Sequence, residues 1–286
     1  MIQSSTIQLL RFHFSFFLMP VYWFALSETK HINVLRAVVV FIILHFLVYP
    51  ASNGYNSYMD RDTESVGGIK NPKQPTKQLF YVSVFMDAIA LLASFAISTY
   101  FTAGLLAYIL ASRAYSYRGI RLKQYPIVGY ITVVFFQGAV TFFLVMHGCS
   151  VEKTLQIPAI GMLAASLLIG GFYPLTQIYQ HQQDKTDNVN TISMQLGYNG
   201  TFAFTAIIYV LAVAALGYQL FSANQFNGFL ILQIFFLPVL VYFFWWWRQV
   251  YFEHTTANYV NTMRMNLLAS ICTNAAFITL FLIEKI

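Results

Sequence analysis

Charge is scarce in this sequence. Only 9% of its 286 residues are Asp, Glu, Lys or Arg, against roughly 25% in soluble domains. With 58% hydrophobic residues and a mean hydropathy of +0.61, the chain is excluded from the ordinary soluble class. Cysteine is nearly absent: Cys149 and Cys272 alone build neither a disulfide framework nor a thiolate metal centre. The six histidines include no pair at zinc-ligand spacing. There is no glycine-rich phosphate loop and no dinucleotide fingerprint. The net charge of +6 does not point to nucleic acid, because the basic residues lie between apolar spans, as the positive-inside rule distributes them.

What the sequence has in quantity is long apolar runs. They cover about residues 9–26, 33–52, 79–99, 101–117, 126–147, 157–178, 202–221, 227–247 and 265–284. Each approaches the ~20 residues that span a bilayer as a helix. The expected fold is therefore all-α: a polytopic bundle of about nine transmembrane helices. Trp245-Trp246-Trp247, followed by Arg248, reads as an interfacial anchor. Loops after even-numbered spans are long and charged, and the others are short or nearly uncharged. Twelve of the sixteen basic residues, counting Arg11, fall on the even-loop side. That bias assigns the N-terminus and the long loops to the cytoplasm.

The polar island Asn53–Lys77, between the second and third runs, holds Asp60, Asp62 and Glu64 beside Arg61, Lys70, Lys73 and Lys77. Asn56, Asp60 and Glu64 are spaced four apart. On a helix such residues stack on one face, roughly 6 Å apart along the axis. Magnesium is held by oxygen ligands of this kind, with phosphate oxygens completing its shell. Asp62 points elsewhere on that helix, and Gly67-Gly68 are expected to end it. The bland alternative is a solvated juxtamembrane helix.

The loop after the sixth run repeats the spacing with Gln180, Asp184 and Asn188. Four crossings return the chain to the same side and direction. The two columns can then be equivalent members of a parallel repeat, two four-helix halves plus a final helix. Two facing columns make a two-sided site for metal ions and a diphosphate. A third loop on that side carries Tyr115, Ser116, Arg118, Arg121 and Lys123, cations suited to phosphate or simply to setting topology. Arg11 and His181 flank the expected site. Asp87 lies inside the third span, where an acid is a functional candidate or a partner in helix packing.

These residues resemble the UbiA superfamily of intramembrane prenyltransferases over essentially the whole chain, 1–286. Members typically have nine helices and two Asp-rich cytoplasmic motifs, after helices two and six. The first, N-x-x-x-D-x-x-x-D, reads here Asn56, Asp60, Glu64. The second, D-x-x-x-D, reads Gln180, Asp184. The family's Tyr-Ser and Leu-Lys pairs are Tyr115-Ser116 and Leu122-Lys123. Glu64 and Gln180 stand where the family has Asp, and Asp187 is a possible compensating acid.

The resemblance implies transfer of a prenyl chain from an allylic diphosphate to a hydrophobic acceptor, with Mg2+ as cofactor and membrane lipid around it. Asn56, Asp60, Glu64 and Asp184 would hold the metal. Lys70, Lys73, Tyr115, Ser116, Arg118, Arg121 and Lys123 would bind the diphosphate, with Asp60, Asp184 and Lys123 central to catalysis. Gln180, motivating the main rival, fits a family member that binds lipid or acts as a scaffold without turnover. A transporter is the remaining rival, but its coupling groups belong near the membrane midplane, where only Asp87 lies.

Overall fold

The computed structural model describes residues 2–61 and 64–285. Long helices account for nearly all of it: α1 (Ser4–Ser27), α2 (Val34–Asp60), α3 (Lys77–Ser94), α4 (Thr99–Ser116), α5 (Pro126–Cys149), α6 (Ala159–Gln177), α7 (Ile192–Ser222), α8 (Phe226–Phe252) and α9 (Tyr259–Lys285). All except α4 belong to segments both long and apolar enough to cross a membrane, and α4 runs for 18 residues. Among the described residues there is no strand. Leu35, Phe85, Leu92, Val210 and Leu237 are exposed on the outer faces. In a bilayer such faces meet lipid, while helices satisfy their backbone groups internally.

The helices are not uniform, and their irregularities shape the interior. α1 breaks at Arg11, whose backbone is left-handed (φ 49°), and continues through a 3-10 segment, Phe12–Phe17. α2 and α5 each contain a π segment, Ile43–Val48 and Phe135–Val140. The second brings Phe136 and Gln137 to the interior cavity described below. α7 is kinked at Gly197 (φ 67°, ψ 178°). Within the second π segment, Gly138 lies against the backbone of α6: a Cβ there would be 2.4 Å from Ser166 Cα. Only hydrogen fits at that crossing.

The polar ends are tied on both faces. On one, Ile32 pairs with Ser150, and the Arg36 guanidinium donates to the carbonyls of Ser150 (2.5 Å) and Val151 (3.0 Å). His31 lies 2.7 Å from Glu152 on the same loops. On the other face α2 extends to Asp60, well past the end of its apolar run. It stays helical because Ala51, Gly54, Tyr55 and Ser57 remain buried. Arg61 then adopts a left-handed conformation (φ 56°) and stops it. The expectation that Gly67-Gly68 end this helix is therefore corrected. The tryptophan block divides in role: Trp245 is exposed, whereas Trp246 is fully buried and donates to Thr256 O at 2.9 Å.

Candidate active site

A cavity of about 300 Å³ opens among α1, α2, α4, α5, α6 and α9. Its inner wall is apolar and aromatic, with Phe14, Phe17, Val21, Phe136, Leu168 and Phe172. Its mouth is polar, with Asn53, Asn56, Asp60, Lys123, Gln180, Asp184 and Asp187. Two members of each sequence column line it, Asn56 and Asp60 from the end of α2, and Gln180 and Asp184 from the 3-10 turn Ile178–Gln180 and the short helix His181–Thr186 that follow α6.

Charge at the mouth is cross-linked. Lys123 Nζ lies 2.5 Å from Asp60 Oδ2. Arg121 reaches both halves, 3.7 Å from Asp60 Oδ1 and 3.3 Å from Asp187 Oδ2. The left-handed backbone of Arg121 (φ 48°), followed by the 3-10 turn Leu122–Gln124, gives these neighbouring cations their common direction. Asn56 Nδ2 donates to Ser116 Oγ at 2.9 Å. The hydroxyls of Tyr115 and Tyr173 meet each other, within electrostatic range of both Asp60 and Asp184. Asp184 in turn feels Lys123, Asp60, Asp187 and Arg121.

Two carboxylate oxygens at this mouth, Asp60 Oδ1 and Asp184 Oδ2, are buried without a hydrogen-bond donor. Buried acceptors of this kind are costly unless a ligand satisfies them. Among the described residues no three His, Cys, Asp or Glu side chains converge as a self-sufficient metal cage. The donor set fits a hard divalent cation that takes one or two carboxylates and completes its shell with phosphate oxygens or water.

Several expected participants lie elsewhere. Glu64 is exposed and outside the cavity lining, because the helix that would have carried it ends at Asp60. Asp62 lies outside the described residues. Lys70 is exposed, and Lys73 Nζ donates to Ser4 Oγ at 3.0 Å, tying its loop to α1. Arg118 is taken by the carbonyls at the end of α2, donating from Nε to Met59 O at 2.6 Å. Cations commonly cap helix C-termini in this way. Asp87 pairs with Arg113 and does not line the cavity. His181 is held by Ser193 at 2.8 Å and stacks on Tyr198. Arg11 lines the cavity and donates to Asn53 O at 3.1 Å.

Other lining groups escaped the sequence reading, notably Tyr173, Gln177 and Asn266. Asn266, Ser270 and Thr273 recur at helical spacing on one face of an apolar helix, which is the signal that could have found them.

A sequence profile described as the UbiA prenyltransferase family matches residues 17–268. The chain belongs to this family. It is an integral, multi-pass membrane protein with the UbiA fold. A UbiA homolog from Archaeoglobus fulgidus, solved with GPP and Mg2+, superposes with a TM-score of 0.71 at 17% identity, covering 97% of this chain and 99% of that one. The same homolog has been solved with DMAPP and Mg2+. The apo UbiA homolog from Aeropyrum pernix K1 gives a TM-score of 0.69 at 17% identity, over 93% and 97% of the two chains. A structure of a digeranylgeranylglyceryl phosphate synthase gives 0.61 at 16% identity, over 97% and 96%. No curated protein matches the sequence.

Proposed function

We propose that this UbiA-family chain is a Mg2+-dependent intramembrane prenyltransferase, moving an isoprenoid chain from an allylic diphosphate to an aromatic or lipid-like acceptor. The observation that carries this reading is the presence of Asp60 and Asp184, each with a buried oxygen that accepts no hydrogen bond, at the mouth of an aromatic-walled cavity. The homologs solved with prenyl diphosphates and Mg2+ support it.

Asp60, Asp184, Asn56 and Gln180 are the residues that would hold the metal. When bound, magnesium supplies Lewis acidity and a template for the departing diphosphate. The chain's own cations do the rest of the charge compensation. Lys123, on the cavity lining, and Arg121 both sit beside Asp60, where they would offset the charge of a diphosphate held through the metal. Fixed cations stabilise negative charge as it develops on a leaving group, without reorganising at that moment. The half-buried Tyr115 and Tyr173, joined through their hydroxyls, line the same cavity.

Below the mouth, the apolar wall accepts the prenyl chain and excludes water. An allylic carbocation survives only where water is kept out, and aromatic faces such as those of Phe136 and Phe172 attract it. The site face is cytoplasmic in this reading, by the distribution of Lys and Arg.

The test is pyrophosphate release from labelled allylic diphosphates by the purified chain, with magnesium and a panel of aromatic and lipid acceptors. Asp60→Asn and Asp184→Asn should each abolish release. An unchanged rate in either variant removes that residue from the site. The exposed Glu64 and uncharged Gln180 favour a second reading, a member that binds prenyl lipids without turnover. Magnesium-dependent binding with no release at any chain length would select it.

A further inference from the structure

The cavity has a second polar feature, beside the charged mouth. Gln177, at the end of α6, and Asn266, on α9, both line it. Their side chains are almost wholly buried, at 6% and 4% exposure. Gln177 Oε1 and Asn266 Nδ2 are both without a hydrogen-bond partner. One is an acceptor and the other a donor. Buried amide groups left unpaired are costly, so a ligand that satisfies both is favoured.

Gln177 stands one helical turn before Gln180 and bonds Tyr173, so it borders the mouth, whereas Asn266 reaches the cavity from another helix. Tyr259, where α9 starts, packs its ring against Tyr179 at 5.3 Å, so α9 enters from the site face. Asn266 then lies about 10 Å along that helix, at 1.5 Å per residue. Ser270 and Thr273 continue the same polar track deeper into the cavity. The Thr273 hydroxyl donates to Ala269 O, 2.6 Å away, which leaves its oxygen free to accept.

We propose that Gln177 and Asn266 form an acceptor subsite that selects an uncharged, hydroxyl-bearing aromatic ring over one carrying a carboxylate; the proposal rests on the prenyl-transfer reading above. A ring hydroxyl donates to Gln177 Oε1, and a ring oxygen accepts from Asn266 Nδ2. A carboxylate cannot donate to Gln177. It would also add negative charge to a cavity that already holds Asp60, Asp184 and Asp187 and would receive a diphosphate. The cations that line the cavity have other partners: Lys123 lies on Asp60, and Arg11 on the Asn53 carbonyl. The neighbouring walls, Phe172 and Tyr173, suit a flat ring.

The subsite is tested by thermal unfolding of the purified full-length chain in detergent with three probes: naphthohydroquinone, hydroxynaphthoate and naphthalene. Naphthohydroquinone should raise the midpoint, and the other two should not. Asn266→Leu and Gln177→Leu should each remove that shift, as should Asn266→Asp, which keeps the shape but loses the donor. In turnover, KM for a hydroxylated acceptor should rise about tenfold or more in these variants, with KM for the prenyl diphosphate unchanged.

Equal or larger stabilisation by hydroxynaphthoate or naphthalene overturns the proposal. Retention of the naphthohydroquinone shift in both leucine variants overturns it as well. The probe comparison on the unaltered chain decides the ligand class even if a variant fails to fold. If geranyl diphosphate with magnesium neither binds nor turns over while naphthohydroquinone binds selectively, the transfer reading fails and the subsite stands.

Discussion

Lys123 and a divalent cation compete for the same carboxylate, and removing the lysine should expose that competition. In Lys123→Met, Asp60 loses a cation 2.5 Å from Oδ2. A metal ion on Asp60 would sit about 4 Å from the ammonium. Two unit charges at that distance interact by ~1 kcal/mol in water and ~4 kcal/mol at an effective dielectric of ~20. For a doubly charged ion the repulsion is therefore at least ~2 kcal/mol, about thirtyfold in affinity. Arg121 remains 3.7 Å from Asp60 Oδ1 and is unchanged by the substitution. Magnesium, or manganese followed by electron paramagnetic resonance, should consequently bind the diphosphate-free variant about thirtyfold more tightly. Pyrophosphate release should nevertheless fall about a hundredfold, because the leaving group has lost a fixed cation. An unchanged or weaker metal affinity would refute the idea that Lys123 and the metal share Asp60.

Glu64→Gln should leave magnesium-dependent release within about twofold of the parent, since an exposed surface position contributes little; a loss comparable with that of Asp60→Asn would return Glu64 to the site. Asp87→Asn should lower stability by about 3–5 kcal/mol by stranding the Arg113 charge, whereas Asp87→Leu combined with Arg113→Leu should recover most of that loss. Denaturation of both variants in detergent checks the pair. Gly138→Ala should cost about 1–3 kcal/mol, because its Cβ would meet Ser166 backbone at 2.4 Å and only a shift between α5 and α6 relieves the contact.

Hydropathy made the spans legible, because lipid-facing and core positions are both apolar and leave long runs. The end of α2 was not legible. Its last turns are polar, and they stay helical through the buried Gly54, Tyr55 and Ser57. Arg61 is left-handed without being glycine, so no composition cue announces the stop. The cations illustrate a second limit. Arg118, Arg121 and Lys123 look alike in sequence. One caps a helix through Met59 O, one bridges Asp60 and Asp187, and one lies on Asp60. Which carbonyl or carboxylate captures a cation is a tertiary fact. Gln177 and Asn266 were hidden for a related reason: Gln177 ends an apolar helix, Asn266 is one of three asparagines on α9, and only their shared cavity connects them.

The end of α2 also changes what Gln180 means. Read as sequence, the second column is one charge short of the first. In the folded chain each column keeps only its first two members. The first loses Glu64 beyond the left-handed Arg61, and the second ends in Asn188, itself left-handed (φ 54°) and off the cavity lining. What remains is Asn56 with Asp60, and Gln180 with Asp184, all four on the cavity. Each half thus contributes one amide and one carboxylate, four residues apart. Gln180 then corresponds to Asn56, and the two amide–carboxylate pairs are matched in charge, with Asp187 a further carboxylate on the second side. Gln180→Asp would break that match, adding a third carboxylate to the four-residue set, with Asp187 already close to Asp184. The variant should bind magnesium more tightly in the absence of diphosphate, and its pyrophosphate release should slow if the matched pairs are the working arrangement. Faster release in Gln180→Asp would mean that the second half is deficient after all.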